Sequence, residues 1–354
     1  MTGRTLRGAA VSSIAVLLAL AASFAVIAAT GAPLDQAVQA FCDGVLGSSA
    51  QLGATLTKVV PLTLAALGWV VAERAGRLNV GLEGQILLGG TGAAVVGLGL
   101  HGLPLAVHLP LAVLAGAVTG AAWGGIAAWL WARRGVNDFI ATLLLNLIAQ
   151  QVVSWLANGP LEEPTGTLGQ SSPVADSARW PVLLSGSTLR WDMLLVVLLV
   201  AATAVVLRRT VVGYRLRLTG ANPVAAAATG TRTVLVGAGA LCASAAVAGI
   251  AGSSLVLASP AGNLSPGFSS SYGFDGIVVA LLARSSPVAC LPAALLLAAL
   301  RQGGSLLEAR LGISSGLVSV TQALVILLVT ATAWWIGLRG ARPARSTRTE
   351  EALA

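Results

Sequence analysis

The chain has 354 residues, of which 56% are hydrophobic and only 10% are charged, and its formal net charge is +8. Because a soluble domain carries about 25% charged residues, this composition excludes a soluble protein and predicts an integral membrane protein without a separate soluble domain. The positive charge does not indicate a nucleic-acid partner, since the basic residues lie at the ends of apolar segments, as membrane topology requires.

Ten apolar segments reach or approach the roughly 20 residues that a helix needs to span a bilayer. The first exceeds the apolar core of a secretory signal, so we expect it to be retained as a helix. Arg284 and Pro287 separate two short segments, which indicates a discontinuous or re-entrant pair. The predicted fold is all-α and polytopic, with about ten transmembrane helices. The segments are 9–29, 59–75, 80–100, 109–131, 137–157, 191–208, 233–257, 275–283, 287–300 and 317–337.

The basic residues predict the orientation of these segments in the cell membrane. With a cytoplasmic N-terminus and ten crossings, sixteen of the 21 basic residues lie inside, as the positive-inside rule requires. Arg301 and Arg310 are then among the few outside. Both termini are predicted to be cytoplasmic, residues 1–337 to form the membrane domain, and the basic tail 338–354 to be a disordered end near anionic lipid.

A short similarity between the two halves suggests an internal repeat. The sequence GVND at 135–138 opens the fifth segment, and GISS at 312–315 opens the tenth, which runs in the opposite direction. An inverted repeat of five plus five helices would require this, and many transporters are built in that way. Chance is the competing explanation for a match of four residues.

The stretch 72–90, AERAGRLNVGLEGQILLGG, places Asn79 and Glu83 in an otherwise apolar, glycine-rich run. An ionisable group inside a membrane costs roughly 3 kcal/mol or more unless it is buried among helices or faces a water-filled path. Glu83 is therefore either a functional group or a helix-packing carboxylate that a neighbour satisfies. Asn146 and Asp275 are interpreted as braces between helices, with Asp275 near the outer boundary.

The cysteines and histidines do not indicate a metal or redox site. Cys42, Cys242 and Cys290 are odd in number and widely spaced, which favours neither a disulfide framework nor a metal centre. His101 and His108 lie in a short connection, where we expect contact with water. No cofactor is predicted.

The longest predicted internal loop, 209–232, contains a second informative motif. Asn222 can cap a helix that begins at Pro223, where the missing N–H costs nothing, and Gly230 can close it. Such a short, rigid helix of small residues suits docking into a groove on another protein. A simple connector between helices is the alternative, because loops often have no partner.

Five ordered blocks resemble the permease subunits of ABC importers of the branched-chain amino acid and simple-sugar superfamily. Within it, they are most similar to nucleoside or simple-sugar permeases that work with a basic-membrane-protein-type lipoprotein receptor. An aromatic residue often found in the alanine run after Pro223 is replaced by alanine here. The blocks are AERAGRLNVGLEGQILLGG, GVNDFIATLLLNLIA, GANPVAAAATG, YGFDGIVVALLARSSP and GISSGLVSVTQALVILLV.

The resemblance implies partners and residue roles. A separate cytoplasmic ABC ATPase hydrolyses ATP, an extracytoplasmic receptor delivers the solute, and two permeases form the path, preferably this chain and a different homologue. The residues implied at or near the translocation path are Asn79, Glu83, Asn137, Asn146 and Asp275. Those implied in the coupling helix that docks on the ATPase are Gly220, Asn222, Pro223 and Ala226.

Two other classes of protein compete with this interpretation. An ion-driven secondary transporter would use Glu83 and Asp275 as its titrating groups, but it leaves the helix at 220–230 without a task. A membrane enzyme is disfavoured, because no nucleophile, base and orienting group converge and Lys58 lies in no phosphate-binding loop. Within the superfamily, sugars and branched-chain amino acids remain alternatives to nucleosides.

Overall fold

The computed structural model describes residues 33–164, 169–184 and 186–312, together with Gly316, Val320, Ala323 and Leu327. The chain divides into two compact units, one formed by residues 40–306 and the other by residues 1–39 with 307–354. Every site described below lies within the first unit. The predicted segment 9–29 and the predicted tail 338–354 lie outside the described residues.

Within the described residues the fold is all-α, as predicted. A short 3₁₀ turn at Asp176–Ala178 and two isolated β-bridges are the only other regular elements there. In chain order the helices are α1 (Leu34–Leu46), α2 (Ser49–Arg74), α3 (Leu82–Gly99), α4 (Leu105–Arg134), α5 (Asp138–Ala157), α6 (Asp192–Arg209), α7 (Val211–Ala221), α8 (Pro223–Ala228), α9 (Thr233–Leu257), α10 (Tyr272–Leu282) and α11 (Cys290–Leu311).

Six helices of the described part of the chain are long and apolar enough to cross a membrane: α2, α3, α4, α5, α9 and α11. The number rises to seven if α6 and α7, which meet at a bend of 71°, form one span. The chain is therefore a membrane protein with several spans. The count of about ten helices and the inverted repeat stay predictions, because residues 313–315 of the second motif lie outside the described part.

The predicted break between the eighth and ninth helical segments is confirmed. Helix α10 has 11 residues, so it extends about 16 Å, roughly half of the hydrocarbon thickness. Arg284 and Ser285 follow it with φ angles of 51° and 53°, a left-handed conformation that ends a helix. Arg74 Nη2 donates to Ser285 O at 2.7 Å, and the Ser285 hydroxyl donates to Glu73. The end of α2 thus holds the break in place.

In three places the structure has helix that the sequence did not predict. The connection 30–58 between the first two predicted segments contains α1 and the first turns of α2, and the predicted loop 209–232 contains α7 in addition to α8. Neither α1 nor α7 was predicted, because polar residues interrupt an apolar run without interrupting a helix. The segment predicted to end at residue 300 continues as α11 to Leu311, so α11 is long enough to span alone.

His108 corrects the expectation of a water-exposed loop histidine. It lies in α4 and is fully buried. Its Nε2 lies 3.1 Å from Val96 O, which can only accept, so Nε2 carries a proton. Its Nδ1 lies 2.8 Å from the Ser177 hydroxyl. The imidazole therefore joins α3, α4 and the 3₁₀ turn.

The core of the first unit forms where α3, α4 and α9 pack together through glycines. A Cβ atom on Gly249 would lie 2.2 Å from Gly116 O, and one on Gly89 would lie 2.3 Å from the Cα atom of Gly249. No side chain separates these backbones. Small residues allow such close approach, which in lipid replaces the hydrophobic drive between helices with van der Waals contact.

We expect Gly249→Ala to destabilise the fold by about 3 kcal/mol, since overpacking against backbone cannot be relieved by a side-chain rotation. The matched control is Gly239→Ala on the same helix, where an added Cβ has no neighbour within 4 Å. Thermal unfolding of the detergent-purified protein, followed by size-exclusion chromatography, measures the difference. Equal stability of the two variants would contradict the packing described here.

Candidate translocation site

Residues 75–81 carry the chain from the end of α2 back into the helix bundle. Gly76 adopts a φ of +70°, and its N–H donates to Glu73 O at 2.8 Å while Arg77 N–H donates to Ala72 O at 3.0 Å. These two bonds define a Schellman motif, which glycine favours at this position. The motif ends α2 abruptly and lets the next residues turn inward.

Arg77 fixes this turn against two neighbouring helices. Its guanidinium carbon lies 4.3 Å from the ring centroid of Trp131 on α4, a cation–π contact. Its Nη1 lies 3.6 Å from Asp138 Oδ2 at the start of α5. The same carboxylate accepts from Leu78 N at 3.2 Å. The contacts of Arg77 and Asp138 thus fix the position of the 75–81 segment against α4 and α5.

Asn79 is fully buried at the centre of a polar cluster. Its Nδ2 donates to Gln85 Oε1 at 2.9 Å and to the Ser244 hydroxyl at 2.8 Å. Its Oδ1 accepts from Gln85 Nε2 at 2.9 Å and from Gly81 N at 3.1 Å. Every donor and two acceptor positions of this amide are used inside the protein. Asn79 therefore joins the 75–81 segment to α3 and α9.

Asn146 on α5 satisfies the first backbone groups of α3. Its Oδ1 accepts from Gly84 N at 2.8 Å, and its Nδ2 donates to Val80 O at 2.9 Å. The first N–H groups of a helix have no partner within it, and the N-cap residue, Gly81, has no side chain to supply one. A side chain from another helix does so here, as expected if Asn146 is a brace between helices.

Glu83 joins the start of α3 to the start of α10. Its Oε2 accepts from Gly273 N at 2.8 Å, in the first turn of α10, where an anion is favoured by the helix dipole. A Cβ atom on Gly273 would lie 2.4 Å from Glu83 N, so only glycine allows this approach. Two helix N-termini therefore meet at one half-buried carboxylate.

Asp275 is paired with Arg301 of α11. Arg301 Nε lies 2.7 Å from Asp275 Oδ2, and Arg301 Nη2 donates to Ser270 O at 2.8 Å. The guanidinium also lies 4.3 Å from the ring centroid of Tyr272. The ion pair connects the start of α10 to the middle of α11, as expected if Asp275 is a brace between helices.

The position of Arg301 corrects one expectation. Arg301 lies midway along α11 rather than in an outer loop. The sequence prediction was wrong because it ended this segment at residue 300, whereas α11 continues to Leu311. The expectation that Asp275 lies near the outer boundary stays a prediction; its neighbour Gly276 packs directly against Ala65 of α2.

Asn137 stands apart from this cluster. Its Oδ1 accepts from Phe139 N at 2.9 Å and from Ile140 N at 3.4 Å, so it caps α5 at an exposed position. Asn146 lies nine residues further along the helix, which is about 13 Å. The structure thus brings together Asn79, Glu83 and Asn146 around the start of α3, and leaves Asn137 at a helix end.

Sequence reasoning missed three polar members of the bundle. Gln85 and Ser244 lie in apolar helices and complete the cluster of Asn79. Asp192 is 2% exposed at the start of α6 and accepts a hydrogen bond from Ser254 on α9. A single polar residue within an apolar run was the available signal for each. Within the described residues no three His, Cys, Asp or Glu side chains lie close enough to hold a metal.

The predicted cap at Asn222 is confirmed. Its Oδ1 accepts from Val224 N and Ala225 N, both at 3.0 Å, and Pro223 is the first residue of α8. At the other end Gly230 has a φ of +79°, as predicted for a closing glycine. Ala226 is the only buried residue of α8, so this short helix is fixed at both ends and exposed along its length.

Glycine contacts connect this exposed helix to the bundle. A Cβ atom on Gly220, near the end of α7, would lie 2.5 Å from Arg74 O and 2.9 Å from Gly76 N. Helix α7 therefore rests directly on the backbone turn that begins the 75–81 segment. Gly220 therefore places the end of α7, just before α8, against the segment that carries Asn79.

We expect Asn146→Leu to cost about 2–4 kcal/mol of stability, because it leaves Gly84 N and Val80 O buried without partners, at roughly 1–3 kcal/mol each. Gln150→Leu is the matched control, since Gln150 lies one turn further along α5 and is exposed. Thermal unfolding of both purified variants measures the effect. A loss no larger than that of the control would show that Asn146 is not a brace.

These features define a class of protein. Several membrane spans enclose a hydrogen-bonded polar cluster, and α7, which leads into the exposed helix α8, packs against the turn that precedes the cluster. This arrangement is expected of a membrane transport protein.

Comparison with known proteins specifies the class. Residues 51–339 match the family model of the permease component of branched-chain amino acid transport systems. A glucose ABC transporter permease of Haloferax volcanii is 37% identical, covering 89% of this chain and 85% of its own length. A guanosine ABC transporter permease of Bacillus subtilis is 31% identical, covering 90% and 92%. A nucleoside ABC transporter permease of Lactococcus lactis is 28% identical, covering 80% of each chain. No solved structure matches the chain.

The chain belongs to the family of ABC transporter permease components that this model describes. It is the membrane permease subunit of an ABC importer and is not itself an enzyme. The family implies a separate ATPase and a substrate-binding protein as partners. This membership confirms the resemblance described above and removes support from the ion-driven transporter.

Proposed function

We propose that this permease imports nucleosides or related simple sugars. The observation that supports this most is the similarity to glucose and guanosine permeases along about nine-tenths of the chain. Glucose and guanosine share a hydroxyl-rich, uncharged sugar ring. The Glu83 carboxylate beside the proposed path suits such solutes, since it can accept hydrogen bonds from their hydroxyl groups.

The translocation path, in this proposal, runs beside the start of α3. Asn79, Asn146 and Asp275 shape it by holding the surrounding helices, because their polar atoms are bonded within the protein. Glu83 is the member that contacts solute or water, since it is only half-buried and lies where two helices begin. Asn137 lies at the path's cytoplasmic end.

The proposed orientation places α7 and α8 in the cytoplasm. Exposed arginines flank this face at the ends of α4 and α6, as the positive-inside rule requires. Both termini are cytoplasmic in this proposal, and the tail 338–354 lies near anionic lipid. Membrane lipid covers the exposed apolar side chains of α5 and α6, such as Leu147 and Leu198.

Helix α8 is proposed to be the coupling helix, which docks into a cleft of the ATPase. Its exposure, the cap at Asn222 and the turn at Pro223 support this role, and Ala226 fixes it to the rest of the chain. Gly220 transmits its displacement to Arg74 and the following turn. A second, different permease completes the path, and co-purification of this chain with tagged and untagged copies of both permeases tests that pairing.

Uptake by the reconstituted importer tests the proposed substrate. Proteoliposomes with the ATPase, the receptor and ATP are given labelled guanosine, and unlabelled adenosine, ribose, glucose or leucine is added in excess. We expect adenosine or the sugars to compete and leucine to have no effect. Competition by leucine alone would refute the proposal and support branched-chain amino acids, which the family description names.

A further inference from the structure

A cavity of about 290 Å³ opens where α2 and α6 both end. Three arginines line it, and no acidic side chain of the described residues does. We propose that this cavity binds the phosphate group of an anionic phospholipid. The proposal rests on the proposed orientation, in which this face is cytoplasmic. The lining residues are Arg74, Ala204, Leu207, Arg208, Arg217, Ser286 and Pro287.

Within the part of the chain that the structure describes, no acidic side chain neutralises the positive charge of the cavity. Arg208 and Arg217 form no hydrogen bond or ion pair with any other described residue. Glu73, which precedes Arg74, is the nearest carboxylate along the chain, and the Ser285 hydroxyl donates to it. Three like charges around one cavity repel each other. A bound anion would remove that repulsion.

Arg74 gives the cavity a fixed donor. Its Nη2 donates to Ser285 O at 2.7 Å, which orients the guanidinium and leaves its other N–H groups available. A guanidinium has five donors, and two of them can meet two oxygens of one phosphate. Arginine is therefore better suited than lysine to hold a phosphate at a defined position.

Position and lining favour a lipid over a soluble phosphate. Arg74 and Arg208 lie in the last turns of α2 and α6, which is the depth of lipid headgroups. Ala204, Leu207 and Pro287 supply an apolar side that a free phosphate would not use. Further along α6, Leu198 is 64% exposed, so acyl chains can continue along this helix. The cytoplasmic leaflet carries the anionic lipids that basic pockets between helices bind.

A bound phosphate would connect the ends of α2 and α6 to α7, the helix that leads into the proposed coupling helix α8. Arg217 lies on α7, which leads into α8, whereas Arg74 ends α2 and Arg208 ends α6. A single headgroup would therefore hold α7 against the bundle at a second point besides Gly220. We expect ATP-driven uptake to require anionic lipid for this reason.

Native mass spectrometry of the complete importer tests the site, with phosphatidylglycerol and phosphatidylcholine as probes. The test variant is Arg208→Gln/Arg217→Gln, which leaves the bond of Arg74 to Ser285 intact. The control is Arg133→Gln/Arg134→Gln at the end of α4, which removes the same charge from exposed positions. We expect the test variant to bind phosphatidylglycerol at least about tenfold more weakly, since each arginine contributes a charge-assisted hydrogen bond. The control should bind like the wild type.

Several outcomes would overturn the proposal. Equal loss in the control variant would indicate nonspecific surface charge, and equal binding of phosphatidylcholine would exclude recognition of a net negative headgroup. Displacement of the lipid by excess inorganic phosphate would identify a soluble anion as the occupant. If the double variant does not assemble, the single variant Arg217→Gln, at a half-buried position of α7, is measured in the same way. These results are independent of the solute, so they separate this proposal from the proposed substrate.

Discussion

Gly220→Ala should abolish most ATP-driven uptake while the permease still folds and assembles. The new Cβ atom would lie 2.5 Å from Arg74 O and 2.9 Å from Gly76 N, both of which are backbone atoms that cannot rotate away. Helix α7 must therefore move outward by about 1 Å to reach ordinary contact distances. Because α8 follows directly after Asn222, the displacement changes how the docking helix is presented.

The size of the effect follows from the strain. Overpacking costs about 1–3 kcal/mol, which corresponds to a fall of roughly five- to 150-fold in a coupled equilibrium. Uptake by proteoliposomes and receptor-stimulated ATP hydrolysis are measured together. We expect stimulation to be lost and basal hydrolysis by the ATPase to remain.

Gly239→Ala is the control for this experiment, since a Cβ atom at that position meets nothing within 4 Å. It should transport at the wild-type rate. If Gly220→Ala also transported at that rate, the contact between α7 and the turn after α2 would have no part in coupling, and α8 would have to act by another route.

The second large effect concerns the ion pair of Asp275 and Arg301. Arg301→Leu should destabilise the protein by about 3 kcal/mol or more, because it leaves a partly buried carboxylate without its partner. It also removes the bond to Ser270 O and the contact with Tyr272. The start of α10 would then lose its attachment to α11, and uptake should fall with stability.

A double-mutant cycle isolates the pair from these other losses. Asp275→Leu/Arg301→Leu should be more stable than Arg301→Leu alone, since no charge is left unpaired. Asp176→Ala is the control, because Asp176 is 98% exposed in its ion pair with Arg179 and such pairs contribute little. Additive effects of the two leucine substitutions, measured by thermal unfolding, would show that the charges do not interact.

Helix positions were largely predictable because lipid makes the apolar length of a segment informative. The predicted segments 80–100, 137–157 and 233–257 correspond closely to α3, α5 and α9. The cap at Asn222 and the closing glycine at 230 could also be predicted from the sequence, since capping depends on neighbouring residues alone. Helix α7 was missed because its arginines and threonine gave no apolar run.

The partners of the polar residues could not be predicted. The sequence shows that Asn79 can donate and accept, but not that Gln85 and Ser244 occupy all its donors. Arg301 was placed outside because orientation rules count charges along a chain, whereas the partner of Arg301 is on another helix. Such pairings depend on how the helices are placed relative to one another, and only the three-dimensional structure gives that placement.

The glycine contacts among α3, α4 and α9 limit how the importer can switch between outward and inward openings. Gly89, Gly116 and Gly249 bring main chains together with no rotatable group between them, so these three helices cannot slide past one another by repacking side chains. We expect them to travel as one rigid body during each cycle. The hinges of transport must then lie at the breaks elsewhere in the bundle, and cross-links within this trio should leave turnover unchanged.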